Sequence, residues 1–254
     1  MKIVGIIQAR IGSSRLPGKV LFDLAGKTMV ERIIERVKKI EQLDSIIIAT
    51  TTDSDDDAIV VEADRLGVES FRGHPTDVLD RYYHTANTHN AEAITRVTAD
   101  CPLLDPQVAD NVIERFLQTK VDYCSNIRPP TYPDGLDVEV FTAQALETSW
   151  RDASLESDRE HVTTYIRRTN PDRFTKSNLE HPVDLSSMRW TIDEPQDLDF
   201  VHALLPRLED RFEDATRFEN VLEILRDCPD IAILNSSIIR NEGWKQSLSN
   251  DHPS

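Results

Sequence analysis

Three stretches of the sequence hold residue types that could act together on a phosphorylated ligand. The first is Gln8-Ala9-Arg10-Ile11-Gly12-Ser13-Ser14-Arg15-Leu16-Pro17-Gly18-Lys19. A turn with exposed backbone N–H groups can cradle phosphate oxygens. Arg10, Arg15 and Lys19 can neutralise them. The spacing is not that of a Walker A loop: GxxxxGK[ST] is absent, and Val20 follows Lys19. The bland alternative is a solvated basic turn, but clustered cations in a chain of net charge −16 weigh toward a ligand. The second stretch is Thr98-Ala99-Asp100-Cys101-Pro102-Leu103 and the third is Trp190-Thr191-Ile192-Asp193-Glu194-Pro195. Either acid alone could cap a turn or a helix. A pair of acids at strand ends, facing a basic phosphate loop, is the pattern of a Mg²⁺ site completed by phosphate oxygens and water.

These residues need elements to hold them. Ile3–Ile7 and Ile46–Ala49 are short apolar runs expected to be buried strands, with Val68–Phe71, Ala93–Thr98 and Val121–Ser125 as further strands. Between them, helices are expected over Met29–Ile40, from Asp53–Asp57 through Leu66, and over Asp77–Thr88 and Pro106–Thr119. This alternation predicts an α/β fold with a mostly parallel sheet and helices on both faces. The second half is less regular. A Pro-rich loop over Asn126–Pro133 leads to Leu136–Phe141, which alternates like an exposed strand, so a small extra β segment is expected over about 126–141. Helices over Ala143–Arg151 and Arg159–Arg168, a strand over Met188–Ile192, and helices over Gln196–Leu205 and Arg217–Arg226 follow. No composition shift marks a boundary, which predicts one domain over 1–246 and a frayed polar tail over 247–254. In an open parallel sheet, ligands sit beyond the carboxyl ends of the strands. The basic loop and both acids fall there.

Composition narrows the function classes. Among 254 residues, Lys and Arg number 29 against 45 Asp and Glu, which argues against a nucleic-acid binder. Three widely spaced cysteines give no disulfide framework and no CxxC metal pair, as expected for a reducing, cytoplasmic setting. The N-terminal apolar run is too short for a signal peptide, and no stretch approaches the ~20 apolar residues of a membrane helix. Asp53-Ser54-Asp55 has the DxD form of metal-dependent glycosyltransferases but sits in an acidic run opening a helix, where capping explains it. The histidines His74, His84, His89, His181, His202 and His252 show no ligand spacing.

The segment Ala9–Lys19 resembles the signature A-R-x-x-S-[ST]-R-L-P-G-K of the cytidylyltransferases that activate sugar acids, among them the 3-deoxy-manno-octulosonate and acylneuraminate enzymes. Asp100 and Asp193 fall where the octulosonate enzymes place metal-binding aspartates, in G-D-x-P and V-D-x-P-E-D-L. The resemblance runs from about Lys2 to Leu205. It implies a Rossmann-like nucleotidyltransferase fold, nucleotide binding by Ala9, Arg10, Gly12, Ser13, Ser14, Arg15 and Lys19, and Mg²⁺ on Asp100 and Asp193. Arg72 matches a family arginine of the nucleotide pocket. Thr98 departs from the pattern: the octulosonate enzymes have glutamine there, where it helps read cytosine, and threonine has a shorter reach and a different donor–acceptor set.

Downstream, Asn126–Val140 and Arg159-Glu160-His161-Val162 are similar to the SpsF-like spore-coat polysaccharide branch. Chemically this part offers Asn126, Arg128, Arg159 and His161 to an oxygen-rich or anionic acceptor, with Asp137 and Glu139 two apart on one strand face. The expectation is therefore CMP transfer from CTP to the hydroxyl of a sugar acid or related polysaccharide precursor, with release of pyrophosphate. Arg10, Lys19 and Asp100 would carry the catalysis. Relatives pair through an extra β segment, so a homodimer through Leu136–Phe141 is expected. A glycosyltransferase using a nucleotide sugar and a catalytically silent nucleotide-binding partner in polysaccharide assembly are the alternatives.

Overall fold

The computed structural model describes residues 1–13, 15–240, 244, 247–249 and 251. Strand and helix alternate through the first half: β1 (Ile3–Gln8), α1 (Met29–Val37), β2 (Ser45–Thr51), α2 (Asp57–Arg65), β3 (Glu69–Gly73), α3 (Val78–Thr88), β4 (Ala93–Thr98), α4 (Pro106–Thr119) and β5 (Tyr123–Ser125). The remainder holds β6 (Glu139–Thr142), α5 (Ala143–Asp152), α6 (Glu156–Glu160), β7 (Lys176–Asn178), α7 (Pro195–Arg211), α8 (Phe218–Asp227) and α9 (Pro229–Ala232). The strands form one sheet in the order β3-β2-β1-β4-β6-β5-β7. Only β6 runs antiparallel to its neighbours, β4 and β5. No helix among the described residues is long and apolar enough to cross a membrane.

Period-two alternation splits the strand side chains between two cores. Ile3, Ile7, Ile48 and Val97 pack with Val30 and Ile34 of α1, Ile59 of α2 and Val112 of α4. Val4, Ile6, Ile47 and Ile94 pack on the other face with Leu79 and Tyr82 of α3 and Leu146 of α5. A third core joins Trp190 and Ile192 to Phe200 and Leu204 of α7 and Val221 of α8, and so carries the segment that ends at Asp193. Caps set the helix starts: Thr28 Oγ1 accepts from Glu31 N at 3.1 Å, Asp77 from Asp80 N at 2.9 Å and Asp105 from Gln107 N at 2.7 Å.

Several expectations are corrected. The extra segment is not an exposed strand: β6 is interior, with Val140 and Phe141 fully buried against opposite cores. Its alternation misleads because Glu139, read as an outward polar position, is itself buried and paired. An interior strand has no free edge, so β6 cannot pair with a second copy. Met188–Ile192 is not a ladder strand. It touches the chain through an isolated bridge between Arg189 and Asp134. The helix expected over Arg159–Arg168 is broken: α6 ends at Glu160, Val162 takes φ 57°, and a π turn over Tyr165–Thr169 follows. The strand β7 is short and polar and carries no apolar signature. In the acidic run, Asp56 turns back rather than capping α2. Of the polar tail, residues 247–249 are helical, and the Asp251 carboxylate accepts from Ser157 N at 3.1 Å and Oγ at 2.6 Å.

Gly135 shows how tightly the Asp134 loop meets the Trp190 segment. It has φ 107°, and a Cβ there would stand 2.7 Å from Thr191 N and from Trp190 C. Both neighbours are backbone and cannot swing aside. Gly135→Ala is expected to lower unfolding stability by about 2 kcal/mol or more in urea titration; a change within ~0.5 kcal/mol would contradict this packing.

Candidate active site

A cavity of about 1070 Å³ opens beyond the carboxyl ends of β1 and β4. The loop after β1 forms one wall, and its shape is set from below. The Asp56 carboxylate accepts from Ile11 N at 2.7 Å and from Thr51 N and Oγ1 at 3.1 and 2.5 Å, tying the loop to the end of β2. Gly18, at φ 75°, donates to Ile11 O at 3.0 Å and starts the 3₁₀ turn Lys19–Leu21. That turn drives the Lys19 side chain inward.

Lys19 is 7% exposed. Its Nζ donates to Asp100 Oδ2 at 3.0 Å, Asp193 Oδ1 at 2.8 Å and Ile192 O at 2.7 Å, using all three protons. Burial disfavours the ammonium, but the two carboxylates outweigh it and raise its pKa. Burial likewise opposes the Asp100 carboxylate, yet Lys19 and neighbouring donors hold it down at about 2. The two strand-end acids, far apart in sequence, thus meet on one cation. A backbone bond from Ile192 N to Asp100 O at 2.8 Å locks the two segments together.

Asp193 is held from every side. Arg15 Nη2 reaches Oδ1 at 2.9 Å, Arg189 Nη2 reaches Oδ2 at 3.3 Å, and its backbone N donates to Asp197 Oδ2 at 2.9 Å. Arg189 is itself buried and also binds Asp134 Oδ2 at 3.1 Å and Asp197 Oδ1 at 2.8 Å. Burial and the nearby Asp137 charge push the Asp134 carboxyl up to about 7.

The structure brings most of the expected residues to this cavity. Ala9, Arg10, Ser13, Arg15, Lys19, Thr98 and Asp100 line one part, and Arg128, Asp137, Glu139, His161 and Asp193 line the rest. The Thr98 hydroxyl lies 3.3 Å from Cys101 Sγ. Asp137 accepts from Arg240 Nη2 at 2.5 Å, and burial raises its pKa. Burial lowers the His161 pKa, with Glu160 opposing. Ser14 lies outside the described residues.

Four expected residues are not part of the lining. Arg72 is spent on the β2–β3 corner, donating to Thr51 O at 2.9 Å and Asp53 O at 2.8 Å and pairing with Asp57 at 2.5 Å. Arg159 binds Asp77 Oδ2 at 2.5 Å and Trp150 O at 2.6 Å, so it ties α6 to the start of α3. Asn126 is fully buried, donating to Leu136 O at 2.7 Å and accepting from Val138 N at 2.9 Å. Gly12 is exposed, with open space where a Cβ would stand.

Sequence reasoning missed Arg96, Arg167 and Arg189, which all line the cavity. A signal existed for two of them. Arg96 interrupts the apolar run of β4, and Arg189 interrupts the apolar run before Asp193. A charge in a buried run needs a partner or a ligand. Arg167 sits in the irregular turn after His161 and carried no such mark.

Comparison with known proteins shows the family. Residues 4–229 match the cytidylyltransferase family. The chain belongs to that family. It is 39% identical over 249 residues to an uncharacterized protein of Methanocaldococcus jannaschii, covering 97% of this chain and 99% of that one. It is 32% identical over 237 residues to the spore coat polysaccharide biosynthesis protein SpsF of Bacillus subtilis, covering 91% and 96%. A solved cytidylyltransferase structure from Leptospira borgpetersenii superposes with a TM-score of 0.87 at 30% identity, over 94% of this chain and all of that one. The nucleotidyltransferase fold is therefore established, and this cytidylyltransferase is an enzyme. Neither the DxD run nor Arg72 contributes to its cavity.

Because the Asp100 pKa lies below the ordinary carboxylate value, its charged form stabilises the fold above about pH 4, and that contribution fades as pH falls toward 2. Lys19→Met removes the cause. In that variant the Asp100 carboxyl, followed by carbon NMR, is expected to titrate at or above the ordinary range, and acid destabilisation should begin at higher pH. An unchanged titration would show that Lys19 does not hold Asp100.

Proposed function

We propose that this cytidylyltransferase transfers CMP from CTP to the hydroxyl of a sugar acid or related polysaccharide precursor and releases pyrophosphate. One observation carries the reading: Lys19 joins Asp100 and Asp193 on a cavity wall that also bears Arg10 and Arg15. The wall combines cations for a triphosphate with hard oxygen donors for a cation. The Arg10 guanidinium has no partner among the described residues and is free to take a phosphate oxygen. The Leu136–His161 side of the cavity offers Asp137 and His161 to an acceptor rich in hydroxyls, with Glu139 buried behind them on Arg96, Tyr123 and Thr163.

The donor set suits magnesium. Two carboxylate oxygens converge on the Lys19 ammonium, and no group of three or more acidic, His or Cys ligands exists among the described residues. Mg²⁺ is commonly held by one or two carboxylates with phosphate and water completing its shell. Asp100 and Asp193 would hold it, and when bound it would polarise the α-phosphate. The chain's own residues do the rest. Arg10 and Arg15 grip the triphosphate and offset charge on the departing pyrophosphate, while Lys19 holds Asp100 and Asp193 together beside them. The acceptor hydroxyl attacks the α-phosphorus in line, so a bond to the acceptor oxygen forms as the bond from the α-phosphorus to the bridging oxygen breaks; pyrophosphate leaves with that oxygen and the hydroxyl proton passes to a carboxylate of the cavity. Positioning and preorganised charge supply most of such an acceleration. Gln8, Thr98 and Cys101 are the polar groups on the β1 and β4 ends available to the base.

Replacing Arg10 by Ala removes a charge-assisted contact of roughly 1.5–3 kcal/mol, so CTP affinity by calorimetry should fall about ten- to a hundredfold. Asp100→Asn and Asp193→Asn should abolish most turnover in a pyrophosphate-release assay. Arg72→Ala, outside the cavity, should leave CTP affinity within about twofold. Loss of affinity in Arg72→Ala together with none in Arg10→Ala would overturn the placement of the nucleotide.

A further inference from the structure

Six carboxylates line the cavity among the described residues, and their partners sort them. Asp100 and Asp193 are committed to Lys19. Glu139 is closed: Tyr123 Oη and Thr163 Oγ1 donate to one oxygen and Arg96 Nη1 to the other, each at 2.6 Å. Burial opposes its charge, but Arg167 and Arg96 hold its pKa down at about 2, so it is a poor proton acceptor. Glu160 is half-exposed and accepts from Ser247 Oγ at 2.8 Å. Asp134 is nearly sealed, its side chain 11% exposed, between Arg189 Nη1 at 3.1 Å and Arg240 Nε at 3.8 Å.

Asp137 differs from all five. Its side chain is 30% exposed on the cavity. Arg240 Nη2 donates to Oδ1 at 2.5 Å, while Oδ2 accepts from no group among the described residues. One oxygen is therefore fixed and the other is open. Arg240 comes from the segment after α9 and is itself pinned, with Nη1 donating to Tyr132 O at 3.0 Å. Ion pairs then run from Asp137 through Arg240, Asp134 and Arg189 to Asp193. The charges of Asp137 and Asp134 also reach the Cys101 thiol, which lies 3.6 Å from Asp100 Oδ1. Burial raises the Asp137 pKa; Arg240 opposes the rise, Glu139 adds to it and Arg167 weakens it. A carboxylate less acidic than usual is the better proton acceptor. His161 lines the same wall, but its Nε2 is buried without a hydrogen bond, 3.5 Å from Glu160 Oε2.

We propose that Asp137 is the general base of the transfer, its open Oδ2 taking the proton of the attacking hydroxyl, with Arg240 as the positioning residue that holds Oδ1. The assignment rests on the proposed transfer reaction and names the group that activates its nucleophile. As the acceptor O–H bond breaks, its electron pair stays on oxygen and forms the bond to the α-phosphorus. The bond from phosphorus to the bridging oxygen breaks, and pyrophosphate keeps that oxygen. The proton passes from Asp137 to water once the products leave. A base must be ionised, so the rate rises with pH through the Asp137 pKa and is lost below it. Arg240 lowers that pKa, so removing its charge moves the rise to higher pH.

The test follows single turnovers of CTP against pH at saturating acceptor, with 3-deoxy-manno-octulosonate, N-acetylneuraminate and a hexose phosphate offered in turn. Acceptor KM is measured alongside, and CTP affinity by calorimetry. With an acceptor that the wild type uses, Asp137→Asn is expected to slow transfer about 100- to 10,000-fold. Its CTP affinity should stay within about twofold, and Asp137→Glu should recover part of the rate. Arg240→Gln keeps the carboxylate and should move the acidic limb of the profile upward by about one pH unit, with Arg240→Lys closer to wild type. A loss in Asp137→Asn confined to acceptor KM overturns the base, as does a parallel loss of CTP affinity or an acidic limb that Arg240→Gln leaves in place. A limb that persists in Asp137→Asn and vanishes in His161→Gln gives the role to His161 and overturns it too. A wild type that binds CTP but transfers to none of the three acceptors overturns the proposed reaction and the base together.

Discussion

The site depends on one buried ammonium. Lys19 is nearly sealed from water and survives as a cation because Asp100 and Asp193 both face it. Each partner is costly alone. A buried charge stripped of its partner typically loses several kcal/mol, so the loop after β1, the end of β4 and the segment before α7 are energetically bound to one another. The three lie far apart in sequence and belong to different packing units. The parallel sheet places β1 and β4 side by side, and the third hydrophobic core docks the Trp190 segment against them. Supporting contacts then fix the details: Asp56 shapes the loop, and Arg189 with Asp197 orients Asp193.

The antiparallel strand β6 divides the labour. Inserted between β4 and β5, it carries Glu139 into the cavity wall opposite Arg96. Ahead of it, Gly135 lets the chain pass against Trp190 and Thr191 with no room for a side chain. The sheet therefore offers one wall built from parallel strand ends, which we propose takes the triphosphate, and a second wall built from the β6 approach and the irregular turn after His161. A single cavity that spans both can hold a nucleotide and an acceptor in line, which is what group transfer requires.

Much of the first wall was legible in the residues. Buried parallel strands are apolar runs bounded by turn chemistry, and Ala93–Thr98 and Pro106–Thr119 could be read to the residue. Arg10, Lys19, Asp100 and Asp193 stood out because charges at the ends of such runs have little structural reason to be there. The second wall resisted for physical reasons. Glu139 alternates like a surface residue, yet its charge is satisfied internally, and periodicity cannot tell these apart. Arg159 and Asn126 are polar and close in sequence to cavity residues, but their hydrogen bonds close on Asp77 and on backbone groups. Arg72 follows a strand as a ligand-binding residue would, and is consumed by the corner beside it. Which partner a polar side chain finds is a long-range matter. It is decided by packing rather than by local pattern.

The most direct test of the account crosses CTP, UTP, ATP and GTP with a panel of sugar acids and follows pyrophosphate release from the wild-type chain in the presence of Mg²⁺. Release is expected to need both CTP and an acceptor hydroxyl, with the CMP-linked sugar as the second product. Release that favours another nucleotide, or that proceeds from CTP at the same rate with no acceptor present, would contradict it.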